Sequence, residues 1–216
     1  MRTDSDLKRE VVAELNWEPA VNATAIGVGV KDGVVTLTGH IDTYAEKEAA
    51  ARAVRRLQGI KAIALELDVK LSPQHQRSAT DIAASAETAL KWNTSVSVDA
   101  IRLTVDHGWV TLQGEVEWDF QRRSAENAIR PLVGVVGIAD EIKLRVKPQA
   151  ADLAKKIEEA LARQALRESK QIQISVDGTT VKLTGGVHSW HEREAVAGVA
   201  WAAPGVRAVI NELTIA

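Results

Sequence analysis

Three pairs of glycines, Gly39 with Gly59, Gly114 with Gly134 and Gly185 with Gly205, each stand 20 residues apart and enclose the same kind of segment. Self-similarity at a fixed period constrains this chain more than any single residue, because it means one small unit written three times. HGWVTLQG (107–114) repeats GVVTLTG (33–39) at an offset of 75, and DGTTVKLTG (177–185) repeats the second copy at 71, with one extra residue in its turn. A chain of this design presents several copies of a module. A single large catalytic pocket is the less natural use of it.

Each copy reads the same way. Ile26, Val28 and Val30 align with Ile101, Leu103 and Val105 and with Ile172, Ile174 and Val176, an every-other-residue apolar pattern that predicts a half-buried strand. Asp32-Gly33, His107-Gly108 and Asp177-Gly178 separate it from a second alternating run, and glycine there supplies the positive φ of a tight hairpin. A helix follows, read from Ala50, Ala53, Val54 and Leu57, from Ala125, Ala128, Ile129 and Leu132, and from Val196, Val199, Ala200 and Ala203. The first glycine of each pair is expected to close the second strand and the second glycine to stop this helix. A third strand completes the unit (IKAIALELDVK, VVGIADEIKLRVK, VRAVINELTIA). An amphipathic helix precedes each hairpin, carried by Leu7, Val11, Val12 and Leu15, by Ile82, Ala86, Ala89 and Leu90, and by Leu153, Ile157, Ala160 and Leu161. The module is helix, strand, strand, helix, strand.

The order of elements, the strand motif DGVVTLTG, the charged helix start Tyr44-Ala45-Glu46-Lys47-Glu48-Ala49-Ala50 and the closing PGVRAVINELTIA resemble the BON domain, the module of bacterial osmotically induced and nodulation-type proteins. The likeness runs through nearly the whole chain, three times. It implies an α+β fold of three tandem αββαβ modules, at 1–71, 78–147 and 149–216, each a three-stranded mixed sheet with two helices on one face. It also implies a non-enzymatic role in attaching to phospholipid membranes, with osmotic or envelope stress tolerance as the setting. The family carries no catalytic residue and no cofactor. A small-ion role, potassium binding, and a protein-interaction scaffold that recruits a partner or a second copy are the alternatives.

Modules of about 70 residues lie where a lone core is only marginally stabilising, so neighbours are expected to pack together. The linkers Leu71–Arg77 and Lys147–Ala150 are short, and each holds a proline. Basic and acidic residues balance in every copy, 10 against 11 through Ser72, 9 against 10 through Lys147 and 8 against 8 thereafter. A nucleic-acid binder needs a basic stripe or domain, and no copy supplies one. Cysteine is absent, which removes thiol chemistry and cysteine metal sites. The start Met1-Arg2-Thr3-Asp4-Ser5-Asp6 has no apolar signal region, so a cytoplasmic protein is expected, meeting a membrane peripherally at the inner leaflet.

The connector between second strand and second helix is where the copies differ. It offers Tyr44 with Lys47, then Trp118 and Phe120 with Arg122 and Arg123, then Trp190 with Arg193. A ring beside a cation suits the headgroup layer of an anionic phospholipid surface. Plugs for the core or for contacts between modules also require such rings, and the residues leave both readings open. Trp17 and Trp92, equivalent in LNWEP and LKWNT, are expected to cap the sheet, with a surface contact as the alternative, whereas the third copy has Arg163 there. His188 and His191 with Glu192 default to a solvated turn, since no sister copy has the pair and a metal site is not assigned. Ser189 beside His191 lacks triad geometry. Gly27-Val28-Gly29 lacks the helix opening that a phosphate-cradling loop needs.

Overall fold

The structure is a computed structural model that describes residues 3–145, 153–163 and 172–215. The linker Lys147–Ala150 lies outside the described residues. The first module runs α1 (Asp4–Trp17), β1 (Ile26–Lys31), β2 (Val34–Ile41), α2 (Tyr44–Arg55) and β3 (Ala62–Val69). The second runs α3 (Ala79–Lys91), β4 (Ile101–Asp106), β5 (Trp109–Val116), α4 (Asp119–Ile129) and β6 (Gly137–Leu144), and the third α5 (Leu153–Arg163), β7 (Gln173–Asp177), β8 (Thr180–Val187), α6 (Trp190–Trp201) and β9 (Ala208–Ile215).

Each sheet has three strands, with the second strand central. The first pair is an antiparallel hairpin, Val30 opposite Val35 in the first module, Val105 opposite Val110 in the second and Val176 opposite Val181 in the third. The third strand joins parallel, Leu37 beside Leu65 and Leu183 beside Asn211. A parallel return needs a crossover, which the second helix provides. Val35 and Leu37, Val110 and Leu112, and Val181 and Leu183 are buried with the helix stripes Leu7-Val11-Leu15, Ile82-Ala86-Leu90 and Leu153-Ile157-Leu161. These are the three-stranded mixed sheets with helices that the sequence calls for.

Two expectations about the glycine pairs need correction. β2, β5 and β8 run past Gly39, Gly114 and Gly185. At Gly39, φ is +129°, and a Cβ would stand 2.2 Å from the Ala25 carbonyl oxygen, so the glycine lets the entry to β1 cross close to the central strand. The helices end at Arg55, Ile129 and Trp201, before Gly59, Gly134 and Gly205. Those glycines sit at φ from +80° to +95° in the turn leading to the third strand.

One tie recurs in all three copies. The hairpin carbonyl of Gly33, Gly108 or Thr179 accepts from the N–H of Lys61, Val136 or Arg207, at 2.9 Å each time, and pins the hairpin to the helix–strand turn. By packing, the chain divides into two compact units: residues up to Val54 with Lys61–Val116 and Phe120–Lys143, and Arg55–Ile60 with Glu117–Asp119 and Leu144 onward.

Candidate functional site

The connectors begin as helix caps. Thr43 Oγ1 accepts from the Glu46 N–H at 3.1 Å while Glu46 reaches back to the Asp42 N–H at 3.1 Å, and Ser189 with Glu192 repeats the pattern at 3.1 and 2.8 Å. This reciprocal cap places Tyr44 and Trp190 at the same register position, the first residue of their helices. The second module has Asp119 there, buried, with Trp118 and Phe120 on either side.

Their environments differ. Trp190 Nε1 donates to the Ile60 carbonyl at 3.0 Å, the Arg193 guanidinium lies 4.9 Å from the ring centroid, and Ser189 forms an antiparallel bridge with Gln58. Arg55 and Glu194 pair at 3.2 Å in the same unit. Trp190 is therefore a half-buried ring with its polar end tied and one face covered. Tyr44 is also half-buried, and burial, followed by the charges of Glu48 and Glu126, pushes its phenol up to about 12. Trp118 is half-buried as well, whereas Phe120 is 58 % exposed.

Most of the basic partners are folded back. Lys47 Nζ donates to the Leu67 carbonyl at 2.9 Å. Arg193, in the same register, donates to the carbonyls of Leu213 at 3.1 Å and Asn211 at 2.5 Å, and Arg122 faces the Asp140 carboxylate at 3.5 Å. Lys47 and Arg193 thus satisfy carbonyls along the third strand of their sheets, a use that blunts a sheet edge against stray pairing. Arg123 is exposed.

The tryptophans most open to solvent lie elsewhere. Trp17 and Trp92 are 83 % and 84 % exposed, so the expectation that they cap the sheet is overturned. The reason is rotational: at about 100° per residue, a position two beyond Leu15 or Leu90 points about 200° away from the buried stripe. The spacing of Leu7, Val11 and Leu15 carries that signal, whereas the apolar bulk of a tryptophan taken alone suggests burial. Val12, at 40 %, and the exposed Ala13 extend the apolar surface of α1, and Arg163 holds the equivalent exposed position in the third module. Trp109, at 55 %, is a different case. Its ring lies over Gly137, where a Cβ would come within 2.6 Å, so one face is packed.

Among the described residues no group of three His, Cys, Asp or Glu is placed to hold a metal ion, and no helix is long and apolar enough to cross a membrane. Three copies of one αββαβ unit, with bare indoles at matched positions of two of them, define a tandem-module α+β protein. The chain belongs to the BON domain family, whose profile matches residues 3–70, 78–146 and 149–216. It is similar to osmotically-inducible protein Y of Escherichia coli (strain K12), 25 % identical over 146 residues, which covers 66 % of this chain and 73 % of that protein. Among solved structures it is matched to the C-terminal domain of CdsD, the structural protein of the type III secretion system of Chlamydia trachomatis, at 13 % identity and a TM-score of 0.27 over the whole of both chains. A second structure of CdsD matches at the same identity and TM-score, over 98 % of this chain and 92 % of that one.

Proposed function

We propose that this chain is a non-enzymatic binding protein that associates peripherally with anionic phospholipid surfaces and serves in osmotic or envelope stress tolerance. The observation that carries the reading is the pair of indoles at Trp17 and Trp92, more than four-fifths exposed and in the same register of two modules. A tryptophan ring is amphipathic, with an apolar body and one N–H donor, and the membrane–water interface is where both ends are satisfied. Leaving such rings in water twice, at one repeated position, is costly without an apolar surface to receive them. The BON family membership and the similarity to an osmotically-inducible protein support the setting.

The contact surface centres on Trp17 and Trp92, with Phe120 and Arg123 of the second connector as a further contact. Tyr44, Lys47, Trp118, Arg122 and Arg193 take part less directly, as they are half-buried or hold bonds within the fold, and Trp190 serves packing. A ring of about 200 Å² immersed to half its area gains roughly 2.5 kcal/mol at 25 cal/mol per Å². Losing one ring should therefore weaken partition onto vesicles by about seventyfold. Sedimentation with phosphatidylglycerol-containing vesicles tests this. Binding by the native chain, lost in Trp17→Ala with Trp92→Ala, is expected; binding untouched by the double substitution removes the proposed surface.

A further inference from the structure

The first two modules handle their hairpin turns differently. In the first, Asp32 and Gly33 occupy the turn at φ +52° and +79°, and their two successive N–H groups both donate to one carboxylate. Asp4, the first residue of α1, accepts from the Asp32 N–H at 2.7 Å through Oδ2 and from the Gly33 N–H at 3.0 Å through Oδ1. Consecutive amide hydrogens converging on an anion form a nest, a concavity of fixed positive potential. The chain has thus built one carboxylate-binding site and filled it with its own side chain.

The second module repeats the nest without the filler. His107 and Gly108 have the same conformation, φ +45° and +83°, and the Gly108 carbonyl is pinned by Val136 as that of Gly33 is by Lys61. The residue in register with Asp4 is Ala79, which has no acceptor to offer. Beside Ala79 and this turn there is a cavity of about 390 Å³, lined by Ala79, Arg77, Gln76, His107, Gly108 and also Asp106, among others. It lies wholly within the first compact unit. Arg77 is exposed and lines it, and its NH1 donates to the carbonyls of Gln74 and Gln76 at 2.9 and 2.7 Å.

We propose that the His107–Gly108 turn, with Arg77 at its rim, binds a small oxyanion, a carboxylate or phosphate group, in the place that Asp4 occupies in the first module. Two nearby carboxylates do not forbid it. Asp106 is engaged by the His107 ring, Nδ1 to Oδ1 at 2.6 Å. Asp81 is the counterpart of Asp6, which stands in the first turn of α1 while Asp4 still sits on its nest. The site does not depend on contact with a membrane, and the cavity admits the anionic end of a free metabolite as readily as a headgroup.

The test is a titration of the isotopically labelled full chain with sodium phosphate and with sodium acetate, against sodium chloride at matched ionic strength, following the backbone amide resonances of residues 107 and 108. Movement of both resonances with phosphate or acetate, saturating at roughly 10 mM or below, is expected, while those of Asp32 and Gly33 stay fixed because Asp4 already holds them. Whichever anion acts at the lower concentration names the group recognised, and a parallel titration with glycerol 3-phosphate separates a headgroup from inorganic phosphate. Ala79→Asp should abolish the response by supplying an internal carboxylate. Arg77→Gln, a change at an exposed position, should weaken it by roughly tenfold, the worth of one charge-assisted hydrogen bond. Resonances at 107 and 108 that do not move with either anion, or that move equally in the Arg77→Gln chain, overturn the proposal.

Discussion

Trp190→Phe separates packing from lipid contact at the third connector. The substitution keeps an aromatic ring in place but removes the Nε1–H that donates to the Ile60 carbonyl at 3.0 Å. Leaving that carbonyl without its partner in a half-covered site costs about 1 to 3 kcal/mol. The smaller ring surrenders a few tens of Å² of apolar contact, roughly 1 kcal/mol, and the Arg193 guanidinium keeps a weaker ring to stack on. A total near 2 to 4 kcal/mol lowers the melting temperature of a chain this size by roughly 4 to 16 °C. Circular dichroism melts of the native and substituted chains, read beside vesicle sedimentation of both, measure the two quantities together. A lower melting temperature with unchanged vesicle binding is expected. An unchanged melting temperature with lost vesicle binding would refute the structural role given to Trp190 and return it to the lipid surface.

Tyr44 is the chain's single tyrosine, so near-ultraviolet tyrosinate absorbance reports it alone. Its phenol is pushed from 10.0 to about 12, first by burial; because the folded value lies above the unfolded one, this contribution to stability is whole below about pH 10 and is lost as pH rises through 12. A folded-state midpoint near 10, equal to that in denaturant, would contradict the buried placement. Gly39→Ala puts a Cβ 2.2 Å from the Ala25 carbonyl oxygen at φ +129° and is expected to cost about 3 kcal/mol or more in denaturant unfolding, with Gly114→Ala, 2.0 Å from the Ala100 oxygen, behaving alike. Gly137→Ala should lift the Trp109 ring, which a shift in tryptophan fluorescence would report, and an unchanged spectrum would argue against that stacking.

Much of this fold is legible in the sequence because repetition supplies its own alignment. The alternation of Ile26, Val28 and Val30, found again at Ile101, Leu103 and Val105, states a half-buried strand twice over, and the Asp32-Gly33 and His107-Gly108 pairs state the hairpin. The glycine pairs were harder to read. Period locates Gly39 and Gly59, but only the approach of the Ala25 carbonyl explains Gly39, and only the turn into β3 explains Gly59. The candidate site was less legible than the fold, since it depends on where side chains end. Lys47 and Arg193 look like surface cations in sequence, yet they reach 20 or so residues along the chain to strand carbonyls. Trp17 and Trp92 look like core residues by type, yet helical phase turns them outward. The Asp4-to-Ala79 difference is plain in the aligned repeats, but it acquires meaning only when the carboxylate is seen lying on two amide hydrogens.

Under the proposed function, exposed tryptophans at one repeated position meet a phospholipid surface. Quenching of tryptophan fluorescence by brominated or spin-labelled lipid in phosphatidylglycerol vesicles reads that contact, comparing the native chain with Trp17→Ala, Trp92→Ala. Quenching in the native chain should be largely lost when those two rings are removed, since Trp190 is tied to Ile60 and Trp109 lies on Gly137. Equal quenching in both chains, or none in the native chain at vesicle concentrations that sediment an established lipid-binding control, would contradict it.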